Sequence, residues 1–140
     1  MNNRIYRLIF FLLAIGSQQT IVAQSIHNSS NMYVGKIEAD GIVRDQSNMM
    51  IGKIGSDGII LNRNNMMVGK IEKDGTVRDR SNMMIGKVDG YGEVKDKNNM
   101  QIGKVKSDGT VLDRNNMTIG YAKGIPIAYA AVYFFFKLYE

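Results

Sequence analysis

Residues 64–87 read NNMMVGKIEKDGTVRDRSNMMIGK, and the last seven residues of this stretch nearly repeat its first seven. The two copies lie 17 residues apart, and an Asn-Met pair recurs at that spacing along the chain. Its asparagines are Asn31, Asn48, Asn65, Asn82, Asn99 and Asn116. A fixed short period is the signature of a repeat architecture, in which units bury their apolar faces against one another. The chain therefore contains five full units over residues 31–115 and the start of a sixth.

Two glycines recur in the units at fixed places. The first follows an apolar residue, and we call this set the strand glycines: Gly35, Gly52, Gly69, Gly86, Gly103 and Gly120. The second follows Asp in every copy except the fourth, where Tyr91 stands instead, and we call this set the turn glycines: Gly41, Gly58, Gly75, Gly92 and Gly109. Glycine in a strand marks a bulge or a close approach, whereas glycine after Asp is typical of a tight turn with positive φ.

Each unit has the pattern of a β-hairpin. Within residues 71–77, two short apolar runs flank Lys-Asp-Gly, and a three-residue loop that ends in Gly is typical of a hairpin built on a type I turn. This pairing sets Ile71 opposite Val77. Val68 breaks the strict alternation of the strand, so we predict a β-bulge at Gly69 that turns Val68 and Ile71 to the same face.

The two ends of the repeat array are incomplete in a complementary way. Residues 26–28 match the end of a unit, and the last copy stops after Gly124, in the middle of one. Pairing the strand near Ile26 with the strand near Ile119 completes a sixth hairpin and leaves no free edge. We therefore predict an all-β fold over residues 24–124, a closed, shallow ring or barrel of about twelve short antiparallel strands.

A ring of about twelve strands is wider than the roughly eight-stranded barrel that side chains alone can fill. Residues 125–140, IPIAYAAVYFFFKLYE, are apolar on nearly every side, and Pro126 suits a first helical position. We predict a hydrophobic C-terminal helix that plugs the ring or packs on it, with Phe134, Phe135 and Phe136 as the plug. Two alternatives remain open for this segment: contact with a membrane, and a final β-strand.

Residues 1–23 have the layout of a secretory signal peptide. Arg4 and Arg7 precede the apolar run LIFFLLAIG, and Ala23 supplies a small residue for cleavage. The apolar run is shorter than the roughly 20 residues that cross a bilayer. The alternative is a retained membrane anchor. We therefore expect an exported protein that is periplasmic, outer-membrane-associated or extracellular.

Charge and cysteine content narrow the possibilities further. The chain has no Cys, so no disulfide framework stabilises the exported domain. Loss of Arg4 and Arg7 with the signal peptide takes the basic residues from 18 to 16 against 13 acidic ones, and the formal net charge falls from +5 to +3. Because Lys alternates with Asp or Glu along each unit, these charges predict a mixed solvated surface and no nucleic-acid partner.

Few side chains are candidates for catalysis or metal binding. His27 is the only histidine, so no Cys-His pair and no His-rich metal cluster can form. Carboxylates recur at Asp45, Asp79, Asp96 and Asp113, with Asn28 and Asn62 in the two remaining places. A ring of acids would bind cations weakly. We favour turn capping or pairing with lysines, which are Lys36, Lys70, Lys87 and Lys104. No catalytic residue, cofactor or metal site is predicted.

One methionine recurs in each unit, directly after the periodic Asn. The set is Met32, Met49, Met66, Met83, Met100 and Met117, with Met50, Met67 and Met84 beside three of them. Thioether side chains adapt to irregular apolar surfaces. We favour core packing around the central plug. An apolar rim for adaptable binding and a soft Cu(I) site are the alternatives.

Several motifs together resemble those of the 5-fold beta-flower proteins, which are small exported bacterial proteins. These motifs are a signal-like segment ending in Ala23-Gln24, units of the form IGKxxSDGTVxDxNN, and a terminal GYAKG followed by AAVYFFF. The resemblance covers the whole chain after the signal-like segment. It implies a shallow closed β-ring with a hydrophobic C-terminal segment, and it implies no activity. The architecture is also similar to tubby-like barrels, which enclose a central helix and bind lipid headgroups, but function does not follow from fold.

The expected function is that of a non-enzymatic structural or binding module of the cell envelope. One rim of the ring would contact an unknown protein or glycan. The alternative is a lipid-associated protein whose aromatic C-terminal tail makes peripheral contact with a membrane. An enzyme is disfavoured because no set of acid, base and nucleophile is evident in the sequence.

Overall fold

The computed structural model describes residues 24–139, and the expected signal peptide over residues 1–23 lies outside them. Within the described residues each full unit forms two short strands. The twelve strands are β1 (Gln24–Asn28), β2 (Tyr33–Ile37), β3 (Ile42–Asp45), β4 (Met50–Ile54), β5 (Ile59–Asn62), β6 (Met67–Ile71), β7 (Thr76–Asp79), β8 (Met84–Val88), β9 (Glu93–Asp96), β10 (Gln101–Val105), β11 (Thr110–Asp113) and β12 (Thr118–Tyr121).

The strands form one closed antiparallel barrel, in which β1 pairs with both β2 and β12. The closing pair sets His27 opposite Tyr121 and Asn28 opposite Gly120. The two incomplete units therefore form one hairpin that lacks its turn, and six hairpins surround the axis over residues 24–139. The predicted all-β closed ring is confirmed.

The turn glycines lie at one end of the ring, which we call the Asp-Gly rim. It consists of the loops at residues 38–42, 55–59, 72–76, 89–93 and 106–110. In the third loop the Gly75 N–H donates to the Glu72 carbonyl oxygen at 2.9 Å, and the Glu72 N–H donates to the Thr76 carbonyl oxygen at 2.8 Å. Gly75 has a φ of 91°, and the flanking strands set Ile71 opposite Val77. The predicted turn and register are confirmed.

Aspartates close two of these turns through a following threonine. An Oδ1 atom of Asp74 accepts the Thr76 N–H at 3.0 Å, and Asp108 accepts the Thr110 N–H at 2.9 Å. Hydrogen bonds from the backbone and the hydroxyl of each threonine lower the pKa of the aspartate below its ordinary value, because they stabilise the charged form. These carboxylates therefore act within their own loops.

Replacing Gly75 by Val is expected to destabilise the ring more than replacing Asp74 by Ala. A β-branched residue at positive φ is strained by about 1 to 3 kcal/mol, and the new Cβ would also collide with the Val88 carbonyl oxygen. Asp74→Ala removes the hydrogen bonds from Thr76 within the loop but introduces no backbone strain. Thermal unfolding followed by circular dichroism measures the difference, and equal melting shifts for the two variants would contradict the assigned turn.

A β-bulge interrupts the pairing between successive hairpins. In β6, Gly69 stays paired with Ile60, and Val68 is the extra, unpaired residue. The bulge therefore lies one residue before the predicted position, because Gly69 remains in the ladder. Five other strand pairs carry the same shift. The shift brings both Val68, which is 6% exposed, and Ile71 onto the apolar core.

The inner wall of the ring is apolar and surrounds the C-terminal segment. Six wall side chains, one from each hairpin, are 0% exposed: Ile26, Val43, Ile60, Val77, Val94 and Val111. Ala130, Ala131 and Val132 are also 0% exposed and belong to the same core. Small axial residues against a branched wall let the segment fill the centre of the ring.

The C-terminal segment is helical, as predicted, but its helix is short. Helix α1 (Ile127–Ala131) starts after Pro126, and a π-helical turn (Val132–Phe136) follows it. Lys137 ends the turn with a left-handed backbone at φ 45°. The alternative that this segment forms a β-strand is wrong. Within residues 24–139, none of the helices has the length and apolar character needed to cross a membrane.

The segment runs from one end of the ring toward the other. Tyr129 lies beside residues 39–41 of the Asp-Gly rim. Phe134, five residues later, lies beside Ile51 and Ile119 in the opposite half of the ring. The aromatic residues at its end therefore reach the mouth farthest from the turn glycines.

Candidate functional site

The opposite end of the ring is formed by the periodic Asn-Met loops, and we call it the Asn-Met rim. It consists of residues 28–33, 45–50, 62–67, 79–84, 96–101 and 113–118. In the fourth loop an Oδ1 atom of Asp79 accepts the N–H groups of Ser81 and Met83 at 2.9 and 3.0 Å. Asn82 adopts a left-handed conformation with φ 66°, which Asn tolerates better than most residues. The periodic Asn is therefore a turn residue, and the Met that follows it stands at the loop.

The methionines of this rim are exposed, so the prediction that they pack in the core is wrong. Exposed fractions of the six side chains lie between 54% and 64%: Met32, Met49, Met66, Met83, Met100 and Met117. Each follows the left-handed Asn and precedes its strand, so it lies beyond the inner wall. Met67, Met84 and Tyr33, one position later, are also 41–42% exposed. An apolar rim, the alternative interpretation, is what the structure shows.

Basic side chains share four of these loops, which the sequence analysis did not single out. Arg63, Arg80, Lys97 and Arg114 each follow the capping Asp or Asn and are exposed. The salt bridges within residues 24–139 instead join Lys36 and Arg44 to Glu38, and Lys70 and Arg78 to Glu72. None of the four rim cations makes one. Their position one residue after the periodic Asp or Asn is a signal that the sequence did contain.

The periodic carboxylates cap their own loops, as the favoured interpretation predicted. Asp45, Asp79, Asp96 and Asp113 each accept two backbone N–H groups at 2.8–3.0 Å. Asn28 and Asn62 do the same through their amide oxygens. None of these aspartates forms a salt bridge with the periodic lysines in the described part of the chain. Over the same residues, no cluster of three or more His, Cys, Asp or Glu is placed to hold a metal ion.

Every strand glycine lies against one side chain of the C-terminal segment. A Cβ at Gly86 would lie 2.5 Å from Phe136 Cε1, and a Cβ at Gly69 would lie 2.5 Å from Leu138 Cδ1. The full set of neighbours, in tail order, is Tyr133 with Gly35, Phe134 with Gly120, Phe135 with Gly103, Phe136 with Gly86, Leu138 with Gly69 and Tyr139 with Gly52. The missing side chains make room for the tail, a close approach of the kind that strand glycines mark.

Successive contacting side chains of the tail lie against successive hairpins around the ring. Six hairpins divide the circle into steps of about 60°, whereas an α-helix turns about 100° per residue. A π-helical turn is wider, with hydrogen bonds from residue i+5 to residue i, and here the Lys137 N–H donates to the Val132 carbonyl oxygen at 2.9 Å. The wider winding brings successive side chains closer to the spacing of the hairpins.

The floor of the rim is apolar. Phe134, Phe135 and Phe136, the predicted plug residues, are half-buried. Their positions place them under the ring of exposed methionines, not on the axis deeper in the core. A cavity of about 340 Å³ lies between Ile51, Ile119 and the tail, and the exposed Lys137 borders it.

The Asp-Gly rim is acidic, whereas the Asn-Met loops carry four charges of each sign. Its five loops carry eight carboxylates and two lysines, and the carboxylates are Glu38, Asp40, Asp57, Glu72, Asp74, Asp89, Glu93 and Asp108. Beside this rim, a groove of about 570 Å³ opens at the seam between β1 and β12. His27 borders the groove and packs edge-on against Tyr33, with ring centroids 6.2 Å apart. The lining of the groove also includes Ser25, Asp108 and Lys123, and it contains no second histidine.

One of the comparisons with known proteins finds a match. A family model described as 5-fold beta-flower protein matches residues 23–138. No curated protein and no solved structure matches the chain. The match spans the ring and nearly all of the tail, and the ring described above contains six hairpins.

Proposed function

Since the chain belongs to the 5-fold beta-flower family, we propose that it is an exported, non-enzymatic binding or structural module of the cell envelope that contacts its partner through the Asn-Met rim. The observation that carries this proposal is the exposure of the periodic methionines on one rim. The signal-like composition of residues 1–23 supports export. The partner is a protein, glycan or lipid of the envelope.

The distribution of methionine supports a dedicated contact surface. Apart from Met1, all nine methionines of the chain lie in the Asn-Met loops. Single scattered apolar residues are normal on a protein surface, but here six exposed methionines occupy equivalent places on one rim, and thioether side chains adapt to partners of different shape. The methionines are not needed to fill the core, because valine and isoleucine side chains already form the inner wall of the ring.

The polar groups of the Asn-Met rim favour a binding role over a catalytic role. Its carboxylates are held by backbone N–H groups of their own loops, which leaves them poorly placed to act as general bases. The family is not known as an enzyme family. A rim of capped acids, exposed cations and methionines is suited to contact with a surface.

The alternative of a membrane anchor formed by the aromatic tail finds no support in the contacts. Phe134, Phe135 and Phe136 lie against strand glycines of the ring, and Val132 is 0% exposed. The tail would have to leave the ring to enter a bilayer, and that would expose the apolar wall. The rim, rather than the tail, is the accessible apolar surface.

A photoreactive methionine analogue tests the proposal directly. The nine methionines after Met1 all belong to the Asn-Met loops, so an analogue incorporated at these nine positions probes that rim. Ultraviolet irradiation of cells that carry the labelled protein should crosslink it to its partner. A matched variant with Met66, Met83 and Met100 changed to Ser should lose most of the crosslinked product. Crosslinking that is absent from intact cells would refute the role of the rim.

A further inference from the structure

We propose that the Asn-Met rim docks the ring face-down on a lipid bilayer that contains anionic lipid. This inference rests on the proposed function and names the class of its partner. It is carried by three features of the described residues: the arrangement of the exposed methionines, the unpaired cations among them, and the acidic character of the opposite rim.

The exposed methionines form a level hoop. The hairpins share one register, with the same bulge and the same strand glycine in each, so the periodic methionines stand at equivalent heights around the ring. A flat hoop of flexible apolar side chains matches a flat, fluid surface. Insertion of apolar side chains into the headgroup region is how interfacial segments bind membranes.

Cations are interleaved with these methionines. Arg63, Arg80, Lys97 and Arg114 are exposed and make no salt bridge within residues 24–139, while the aspartates of the same loops are half-buried and capped. Lys137 is exposed at the end of the tail and borders the cavity between Ile51, Ile119 and the tail. Exposed Lys and Arg next to a membrane are attracted to anionic lipid headgroups. The rim thus combines apolar insertion with electrostatic attraction.

The far end of the ring fixes the orientation. The Asp-Gly rim carries eight carboxylates against two lysines, whereas the Asn-Met loops carry four of each sign. An anionic membrane surface repels the acidic Asp-Gly rim and does not repel the Asn-Met rim. The apolar and the electrostatic features therefore select the same end of the molecule, and the two are independent of each other.

A bilayer fits this rim better than a second copy of the ring or a symmetric protein. The loop tips differ around the hoop, since two loops have Ser29 and Gln46 where the other four have the cations. A fluid surface accommodates such unequal loops, whereas a rigid symmetric partner does not. Two rims face to face would bring like cations together, which is unfavourable.

Vesicle flotation tests the inference. The full-length chain is expressed, and the protein is used in whatever processed form the expressing cell yields. The probes are vesicles of phosphatidylcholine alone and vesicles that also contain about 30 mol% phosphatidylglycerol. We expect binding to the anionic vesicles, weakened about tenfold when NaCl rises from about 0.05 to 0.5 M. Neutral vesicles should bind the protein markedly less.

Three variants separate the contributions. Met66, Met83 and Met100 changed together to Ser, and Arg63, Arg80 and Arg114 changed together to Gln, should each lower binding about tenfold or more. The matched control changes Lys73 and Lys106 to Gln on the Asp-Gly rim and should bind as the parent does. Because every substitution lies in an exposed loop, melting temperatures should stay close to that of the parent. Mild peroxide, which converts exposed methionine to its sulfoxide, should release the protein, and methionine sulfoxide reductase should restore binding.

Each other outcome overturns the inference in a distinguishable way. A rim that crosslinks to an envelope protein or glycan while anionic vesicles stay unbound would keep the proposed function and reject the bilayer. Vesicle binding that survives both rim variants would place the contact elsewhere. A methionine-dependent dimer in size-exclusion chromatography, without vesicle binding, would assign the rim to a second copy of the chain.

Discussion

Deletion of residues 125–140 is expected to abolish the cooperative unfolding transition of the ring in detergent-free buffer. The deletion removes Ala130, Ala131 and Val132, which are 0% exposed, from the centre of the core. Wall side chains that are now fully buried would then face water, and full burial of one aliphatic side chain is worth about 1.5–3 kcal/mol. Summed over six hairpins, the lost free energy of burial is comparable to the free energy of unfolding of a typical domain, which is about 5–15 kcal/mol.

Thermal unfolding and size-exclusion chromatography of the chain ending at Gly124 measure this effect. The truncated protein should aggregate or melt without a sharp transition. A matched control in the same segment is Lys137→Gly, which places glycine at an exposed position with positive φ and should melt close to the parent. A truncated ring that stays monomeric and melts at the parent temperature would contradict the plug, and it would favour the tail as a membrane anchor.

Replacing Gly103 by Ala is expected to destabilise the ring by about 3 kcal/mol, although it adds a single methyl group. A Cβ at this position would lie 2.5 Å from the Leu112 carbonyl oxygen and would collide with the ring of Phe135. The backbone of the neighbouring strand cannot move away without disturbing the hydrogen bonds between the strands. The strand glycines are thus required by the packing of the tail and by the pairing of the strands.

The same change at Gly90 provides the matched control. A Cβ at Gly90 would have no heavy atom within 4 Å, so Gly90→Ala should leave the melting temperature nearly unchanged. Phe135→Leu, combined with Gly103→Ala, removes part of the aromatic collision and should recover about 1 kcal/mol through coupling of the two sites. Equal effects of Gly103→Ala and Gly90→Ala, measured by chemical denaturation, would contradict the close packing of the tail on the strands.

Local features of the sequence determined the repeating part of this protein. The period of 17 residues, the Asp-Gly turn and the left-handed Asn each act within a few residues of backbone, so one unit suffices to predict its turns and the pairing of Ile71 with Val77. Ring closure also followed from the sequence, because the partial units at residues 26–28 and 116–124 complement each other. Turn capping by Asp79 was predictable for the same reason, since donor and acceptor belong to one loop.

Only the tertiary structure decided which surfaces are buried and which are available to a partner. A periodic Met is compatible with a buried core position and with an exposed rim position. Its exposure depends on the bulge at Val68 and on the height of the loop above the inner wall. The pairing of Phe135 with Gly103, and of its neighbours with the other hairpins, joins residues far apart in the chain. Such contacts depend on the radius of the closed ring and on the π-helical winding of the tail. Backbone turns are set by short-range sterics and hydrogen bonds, whereas burial is set by long-range packing that no single repeat contains.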